Sequence, residues 1–372
     1  MKRIGDIEEL KKHGKKLFLF LSVWSVLFVC CAVFPADEKS YSERRILKQF
    51  PKVTAQSLLS GGFMQGFEAY ALDQFPFRDS FRALNTITAL YGFGQKDNEG
   101  LYLADGHIGK LDMTVNQNSL SNAIEKFRYL QERYLQENKV YLSIIPDKGY
   151  FLAEKNGYPS MDYEQLVRTM VEGMPYAEYV DIMKTLSLSS YYKTDTHWRQ
   201  EKLLETAKQL KVQMGISERK SHSYEQKMAT EKFYGVYYGQ LALPFKPEPL
   251  YYLTNDGLEK CYTISAQTQK KGKVYDFHKL DGNDPYELFL SGSVPIITLM
   301  NPENASGKKL ILFRDSYGSS IAPLLAEDYA EITLIDIRYV SSRILGELVE
   351  FKGKEVLFLY STLLLNSSYT LK

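Results

Sequence analysis

Short apolar runs alternate with amphipathic segments near the C-terminus, and this alternation restricts the fold more than any other feature of the sequence. The apolar runs are Leu310–Phe313, Ile332–Ile335 and Val356–Tyr360, each typical of a buried strand. Helical patterns over 319–329 and 341–350 separate them. Strands that alternate with helices form βαβ units, in which the strands are parallel and helices cover both faces of the sheet. The sequence therefore predicts an α/β fold with a mostly parallel sheet.

The same alternation begins earlier in the chain. An apolar stripe at helical spacing follows Ser119, which is a candidate N-cap with Ser121, and the run Val140–Ile145 then predicts a buried strand. A helix near 161–172 and a short strand at Tyr179–Ile182 come next. Such sheets bind ligands outside the carboxyl ends of their strands, so we expect the functional site there.

A stretch from about 222 to 300 interrupts the alternation. It contains tyrosine pairs, prolines within Pro244–Pro249 and short runs broken by glycines. We interpret it as a β-rich insertion over the loop end of the sheet, within an α/β domain that spans 119–372. Residues 40–118 are expected to form a helical and hairpin segment that packs on this core, with the hairpin turn at Asp105-Gly106.

The uncharged run Leu17–Phe34, 18 residues long, predicts a transmembrane anchor. As a helix it would extend roughly 27 Å, close to the hydrocarbon thickness of a bilayer. Lysines precede it and Asp37 follows it, so the positive-inside rule places residues 1–16 in the cytoplasm and the main domain outside the cell membrane. The alternatives are a cleaved signal peptide, disfavoured by Phe34 at the cleavage position, and a lipoprotein at Cys30.

Charge and cysteine content exclude other classes. The chain carries 46 Lys and Arg against 45 Asp and Glu, a net charge of +1, so we expect no nucleic-acid partner. Its three cysteines cannot form a disulfide framework, and two of them lie in the predicted anchor. An exported chain without disulfides is typical of a bacterial surface. The third, Cys261, is better explained as a buried small residue than as a nucleophile.

One of the five histidines stands in a promising context. His197 belongs to the block Asp195-Thr196-His197-Trp198, just before a predicted helix. An aspartate two residues before a histidine can accept from Nδ1 and leave Nε2 available as a base. The alternative is a histidine satisfied within its own loop. A metal site at this pair lacks a visible third ligand, and we expect no metal or cofactor.

A serine stands where a buried strand meets the next helix. Ser316 follows Asp315 there, and the backbone N–H groups of Ser316, Tyr317 and Gly318 are expected near the helix N-terminus, where an oxyanion is stabilised. The alternative is that Ser316 or Ser319 only caps the helix.

Together, the D-T-H-W block at 195–198 and the later strand-D-S-Y-G block resemble the DHHW protein family and the related alginate O-acetyltransferases, outliers of the SGNH (GDSL-like) hydrolase superfamily. The resemblance covers roughly residues 50–370 and extends to Phe67–Phe81, Ile145–Lys148 and Tyr234–Gln240. Thr196 replaces the first histidine of the DHHW name, as in the acetyltransferase version. Arg314 stands where many SGNH proteins have glycine, so we expect it to crowd the site.

The resemblance implies an SGNH-like, flavodoxin-type three-layer sandwich and a catalytic triad of Ser316, His197 and Asp195. Tyr317 and Gly318 would serve the oxyanion.

The resemblance also implies an arginine after the nucleophile, for which Arg338 is the candidate. The alternative for Arg338 is an ion pair with Asp336 or Glu331. Trp198 is expected to be either a sugar platform or core packing, and Lys148 either part of the site or a solvated loop charge.

The sequence therefore supports two functions from different classes. The first is a membrane-anchored serine enzyme that transfers or removes an O-acyl group, acetyl by the resemblance, on a cell-surface polysaccharide. A multi-spanning membrane acyltransferase is the implied acyl donor, because relatives work with such proteins. The second is a non-catalytic glycan-binding or assembly subunit that has kept the fold.

Overall fold

The computed structural model describes residues 2–33, 35–40, 42–216 and 223–372. The chain divides into two units, Met1–Thr88 and Ala89–Lys372. The domain limits expected from the sequence, 40–118 and 119–372, stay a prediction.

The strands in chain order are β1 (Lys39–Ser40), β2 (Arg45–Ile46), β3 (Leu101–Ala104), β4 (His107–Lys110), β5 (Val140–Ile145), β6 (Ala177–Tyr179), β7 (Glu225–Phe233), β8 (Glu248–Thr254), β9 (Tyr262–Ser265), β10 (Lys271–Gly272), β11 (Ile296–Met300), β12 (Lys309–Arg314), β13 (Glu331–Ile335) and β14 (Glu355–Ser361). The α-helices are α1 (Lys2–Val33), α2 (Ala55–Leu59), α3 (Gly62–Asp73), α4 (Arg78–Ile87), α5 (Gln117–Tyr134), α6 (Gly149–Leu152), α7 (Tyr163–Gly173), α8 (Leu204–Gln213), α9 (Val236–Leu241), α10 (Asp256–Lys260), α11 (Gly318–Leu325), α12 (Leu345–Leu348) and α13 (Thr362–Leu365).

The second unit is built on an eight-stranded sheet with the order β10-β9-β11-β13-β12-β14-β5-β6. The five strands from β13 to β6 are parallel, as the alternating sequence predicts. Their carboxyl ends therefore meet at one edge, which brings the residues after β5, β12, β13 and β14 together. A mostly parallel sheet within an α/β fold is confirmed.

The segment from about 222 to 300, expected to lie over the loop end of the sheet, is divided between two sheets. Strands β7 and β8 form a separate antiparallel hairpin. Strands β11, β9 and β10 instead extend the main sheet in that order, each antiparallel to the strand before it, with β11 paired to β13. The expectation of a single insertion above the sheet is therefore wrong, because β11 pairs with the edge of β13, and β9 and β10 continue the sheet beyond it. His222, at its expected start, lies outside the described residues.

Alternating side chains along the central strands fill two cores. Leu310 and Leu312 pack on one face with residues of α8 and α11. Ile311 and Phe313 pack on the other face with residues of α5 and α7. Because successive strand side chains point to opposite faces, an unbroken apolar strand requires cover on both sides. The result is a three-layer arrangement.

Helix α5 shows how the local sequence sets one of these layers. Its N-cap is Asn116, whose side chain accepts from the N–H of Ser119, and not one of the serines expected from the sequence. Apolar residues at three- and four-residue spacing then form its buried face: Leu120, Ala123, Ile124, Phe127 and Leu130.

The hairpin at Asp105-Gly106 is confirmed. Strands β3 and β4 pair with Leu103 opposite Ile108, and both turn residues have positive φ, 46° and 71°. That backbone conformation is the one a two-residue hairpin turn of this type requires.

The first unit holds helix α1 and helices α2 to α4. Arg45 donates to Asp73 at 2.8 Å and lowers the pKa of that carboxyl to about 2. In the described ranges no helix combines the length and apolarity needed to cross a bilayer. Phe34, the last residue of the predicted anchor, lies outside the described residues. The anchor stays a prediction.

The packing predicts the cost of truncating the core under α5. Phe127 is fully buried, with its ring centroid 5.0 Å from Tyr360 and 4.8 Å from Phe358. We expect Phe127→Ala to lower the free energy of unfolding by about 3–5 kcal/mol, measured by chemical denaturation, because a cavity remains. Tyr129→Ala, on the exposed face of the same helix, is the control and should cost about 0.5 kcal/mol or less. Equal losses in the two variants would contradict the assigned core.

Candidate active site

His197 lies between an aspartate and a serine. Its Nδ1 is 2.6 Å from Asp195 Oδ1, and its Nε2 is 2.7 Å from Ser316 Oγ. A carboxylate only accepts, so the ring proton belongs on Nδ1 and the Nε2 lone pair faces the serine hydroxyl. Three side chains separated by up to 121 positions in the sequence thus form one hydrogen-bonded row.

The Asp195 carboxylate is fixed by backbone donors as well as by the histidine ring. It accepts from the N–H of His197 at 2.9 Å and from the N–H of Val236, at the start of α9, at 2.8 Å. Gly235 makes this approach possible, because a Cβ there would lie 2.2 Å from the backbone N of Asp195. The sequence signal for Gly235 and Val236 was their place in the Tyr234–Gln240 block, which gave no role to either.

The serine stands on a turn between β12 and α11. Asp315, one residue earlier, accepts from the Tyr317 N–H at 3.0 Å and from the N–H and hydroxyl of Ser361 at 2.9 and 2.6 Å. The N-cap position of α11 is Tyr317, without a side-chain cap bond. Ser316 is therefore not the cap; its hydroxyl faces His197.

The oxyanion assignment made from the sequence is wrong for two backbone donors. The Tyr317 N–H is bonded to the Asp315 carboxylate, and the Gly318 N–H is bonded to the Asp315 carbonyl at 3.1 Å. Both N–H groups therefore form hydrogen bonds within the tight turn. Gly318 instead allows close packing, since a Cβ there would lie 2.6 Å from the Arg314 Cβ.

Aromatic rings hold the histidine. Tyr286 stacks on His197 with ring centroids 4.0 Å apart and 9° between planes, and its hydroxyl donates to Ser320 at 2.8 Å. Tyr317 lies against the same ring, and its hydroxyl donates to the Thr196 carbonyl at 2.6 Å. No sequence pattern indicated Tyr286, which reaches the site from the interrupting segment.

Trp198 does not face a substrate. It is 0 % exposed, and its Nε1 donates to Ser320 Oγ at 2.8 Å and to the Tyr317 carbonyl at 3.1 Å. The sugar-platform expectation is wrong and the core-packing alternative holds. The indole N–H is satisfied inside the protein, as a buried tryptophan requires.

The two arginines differ in what they contact. Arg338 donates to Asp336 at 2.9 and 2.6 Å, which is its ion-pair alternative, yet it also lines the pocket at Ser316. Burial alone would lower the Arg338 pKa, but the hydrogen bonds with Asp336 raise it, so Arg338 stays charged. Arg314 is buried and donates to the carbonyls of Gly292 and Val294. Arg314 points into the protein, so the expectation that it crowds the site is wrong.

A pocket of about 640 Å³ opens at Ser316. Beside Arg338, its walls include Tyr339 and Tyr369, which are 46 % and 63 % exposed. The last segment of the chain, after β14, forms much of one wall. This volume is in the range of small-ligand sites.

Two other sequence candidates have different environments from the triad. Cys261 is buried, and burial raises its pKa to about 12, so it is not a thiolate nucleophile. Within the described ranges, no three His, Cys, Asp or Glu side chains come together in a way that could hold a metal ion.

The fold and the site define an α/β protein with a serine, a histidine and an aspartate in hydrogen-bonded order. Its fold is similar to that of a DHHW family protein from Eubacterium siraeum, with a TM-score of 0.58, 19 % identity, and 72 % of this chain and 93 % of that chain covered. It is also similar to Bacillus cereus PatB1, with a TM-score of 0.55, 17 % identity, and 72 % and 97 % covered. PatB1 with a sulfonyl adduct gives a TM-score of 0.54 and 16 % identity, with 71 % and 97 % covered.

At these identities the likeness concerns the fold, and there it confirms the resemblance to the DHHW family that the sequence motifs indicated. No protein-family model matches the sequence. No curated protein matches it either.

The close approach at Gly235 predicts a sensitive position. Gly235→Ala should displace the Asp195 backbone, lower the free energy of unfolding by about 1–3 kcal/mol through overpacking, and weaken the Asp195–His197 contact. The measurement is thermal unfolding together with the rate of Ser316 modification by a sulfonyl fluoride. The matched control is Gly257→Ala, where the nearest atom to the new Cβ is an ordinary contact at 3.5 Å. Wild-type stability and rate in Gly235→Ala would show that the contact is not needed.

Proposed function

We propose that this protein is a serine enzyme that moves an O-acyl group, acetyl being the leading candidate, onto or off a cell-surface polysaccharide. One observation carries the proposal: Ser316 Oγ, His197 and Asp195 are joined by contacts of 2.7 and 2.6 Å. Nucleophilic catalysis by serine needs this order of hydroxyl, base and orienting carboxylate.

The chemistry follows from the contacts. His197 Nε2 takes the Ser316 proton as Oγ bonds to the carbonyl carbon of an acyl ester. The bond to the ester's alcohol then breaks, and His197 returns the proton to the departing alcohol, which leaves an acyl ester on Ser316. An acceptor hydroxyl gives its proton to His197, bonds to the acyl carbon and releases Ser316, to which His197 returns the proton. A sugar hydroxyl gives transfer and water gives hydrolysis.

The pocket supports a glycan as the acceptor. Sugar rings present C–H faces that pack on aromatic rings, while their hydroxyls need polar partners. Tyr339 and Tyr369 supply exposed rings at the pocket, and Thr196 and Arg338 supply polar groups to its lining. Tyr339 and Tyr369 thereby take the place proposed for Trp198.

A membrane location is a further part of the proposal. It is supported by the apolar run Leu17–Phe34, the lysines before it and the acidic residues after it. An anchored chain would stay beside a multi-spanning acyltransferase, which we propose as the acyl donor. Transfer to a glycan is then favoured over hydrolysis.

The test of catalysis is the loss of serine reactivity and of acyl turnover. Ser316→Ala and His197→Ala should each abolish labelling by a sulfonyl fluoride and hydrolysis of p-nitrophenyl acetate. The double variant should be little worse than either single variant, since the residues act as one unit. Asp195→Asn should be milder because the base stays in place but is poorly oriented. PatB1, which has this fold, was obtained with a sulfonyl adduct, and this motivates the choice of probe.

The control for this experiment is Ser319→Ala, on the same helix as the turn. Ser319 is buried and its hydroxyl has no hydrogen-bond partner among the described residues, so its removal should leave activity and stability unchanged. Full turnover in Ser316→Ala would sink the proposal. If the sulfonyl fluoride does not label the wild-type protein, and this protein still binds surface polysaccharide, the non-catalytic glycan-binding function is favoured instead.

The location has its own test. A periplasmic-type reporter fused after Lys372 should be active outside the cytoplasm and should sediment with membranes. The same fusion in a chain with Leu21→Lys and Val26→Lys should lose the membrane association, because charge at the centre of an anchor is costly. Recovery of the unaltered fusion as a soluble, N-terminally trimmed chain would contradict the anchor.

A further inference from the structure

A buried lysine contacts the segment that leads into the aspartate of the triad. Lys148, just after β5, is 2 % exposed, so it is not a solvated loop charge. Its Nζ donates to the carbonyls of Tyr192 and Lys193 at 2.9 and 3.2 Å and lies 5.1 Å from the centre of the Tyr237 ring. The buried ammonium thus has its hydrogen bonds to two carbonyls two and three residues before Asp195.

A buried glutamate contacts the same segment through its amides. Glu248, at the start of β8, is 6 % exposed, and its Oε2 accepts from the N–H of Lys193 at 2.7 Å and of Thr194 at 3.2 Å. Lys148 therefore binds carbonyls and Glu248 binds N–H groups of one short segment. Lys148 precedes this segment in the sequence and Glu248 follows it. A shift of either side chain would break its contacts to the segment.

We propose that Lys148 and Glu248 are positioning residues that hold the segment 192–195, and through it the Asp195–His197 pair, in the orientation that faces Ser316. The inference rests on the proposed function, and neither residue is assigned contact with a substrate. Both are buried charges that would cost less as apolar residues if they served packing alone. Their value at this place lies in adding side-chain contacts to a backbone segment that also accepts from the N–H groups of Ile108 and Tyr237.

The charges around Lys148 and Glu248 predict a specific pH dependence of the reactivity. Besides Glu248, the groups that face Lys148 are Asp147, Asp195 and, from β4, His107, and the Arg199 guanidinium lies 3.5 Å from the Glu248 carboxylate. Burial lowers the pKa of Lys148 to about 7, against the opposing effect of Asp195 and Glu248, so below that pH Lys148 is a cation beside the triad aspartate. A nearby cation opposes protonation of His197, and a nearby anion favours it. The two residues must therefore shift the acid limb of reactivity in opposite directions.

The experiment measures the rate of inactivation of the full chain by phenylmethylsulfonyl fluoride from pH 5 to 9, with a melting curve for each variant. Lys148→Met should lower the plateau rate about tenfold and move the acid limb to higher pH. Glu248→Gln, which keeps size and an acceptor oxygen, should move the acid limb to lower pH with a smaller loss of rate.

The matched controls are Lys354→Met and Glu331→Gln. Lys354, just before β14, and Glu331, at the start of β13, form a largely buried ion pair at 2.6 Å at the amino ends of these strands, and their variants should leave the pH curve unchanged. If Lys148→Met fails to fold, the isosteric Glu248→Gln still decides by the direction of its shift. Variants with the wild-type pH curve, with shifts in one direction, or with shifts equal to the controls overturn this inference alone. A wild-type chain that the reagent does not modify overturns the proposed function, and this inference with it.

Discussion

Buried aspartates that bond to the chain two residues later shape the functional edge of this protein. Asp147, Asp195, Asp315 and Asp336 are each at most 3 % exposed. In every case one carboxylate oxygen accepts the N–H of the second residue after it: Gly149, His197, Tyr317 and Arg338. A buried carboxylate needs such donors, because burial without them costs several kcal/mol. Each aspartate therefore forces a tight turn.

Three of these aspartates follow parallel strands of the sheet, β5, β12 and β13, and the end of strand β14 bonds to two of them. Asp315, after β12, accepts from Ser361 at the end of β14, and Asp147, after β5, accepts from the Thr362 hydroxyl at 2.9 Å. Since β14 lies between β12 and β5, its end bonds to the turns on both sides. Ser316 stands on a turn held from the neighbouring strand, which favours a rigid nucleophile over a mobile one.

The fourth aspartate, Asp195, follows no strand of the sheet. The position of His197 therefore depends on more separate contacts than the position of Ser316 does. The position of Asp195 is set by Val236, by the glycine before it and by the segment that Lys148 and Glu248 contact. A rigid serine turn thus meets a histidine loop assembled from several distant parts of the chain. Tyr286 stacks on one face of the His197 ring and so keeps the imidazole in the plane that faces Asp195 and Ser316.

The sequence by itself determined the parallel sheet, because strand periodicity fixes which strand ends share an edge. It also predicted the meeting of Asp195, His197 and Ser316, but through the resemblance of two motifs to a known family, since Asp195 follows no strand of the sheet. It could not determine that Trp198 and the N–H groups of Tyr317 and Gly318 form their hydrogen bonds within the protein. Those bonds depend on neighbouring residues from β14, α11 and the tight turn. It also could not place β9 to β11 in the main sheet, or bring Tyr286, Gly235 and Lys148 to the segment from Tyr192 to His197. The contacts of Tyr286, Gly235 and Lys148 join residues 40 to 89 positions apart with no periodic signal, and only the packed tertiary structure decided them.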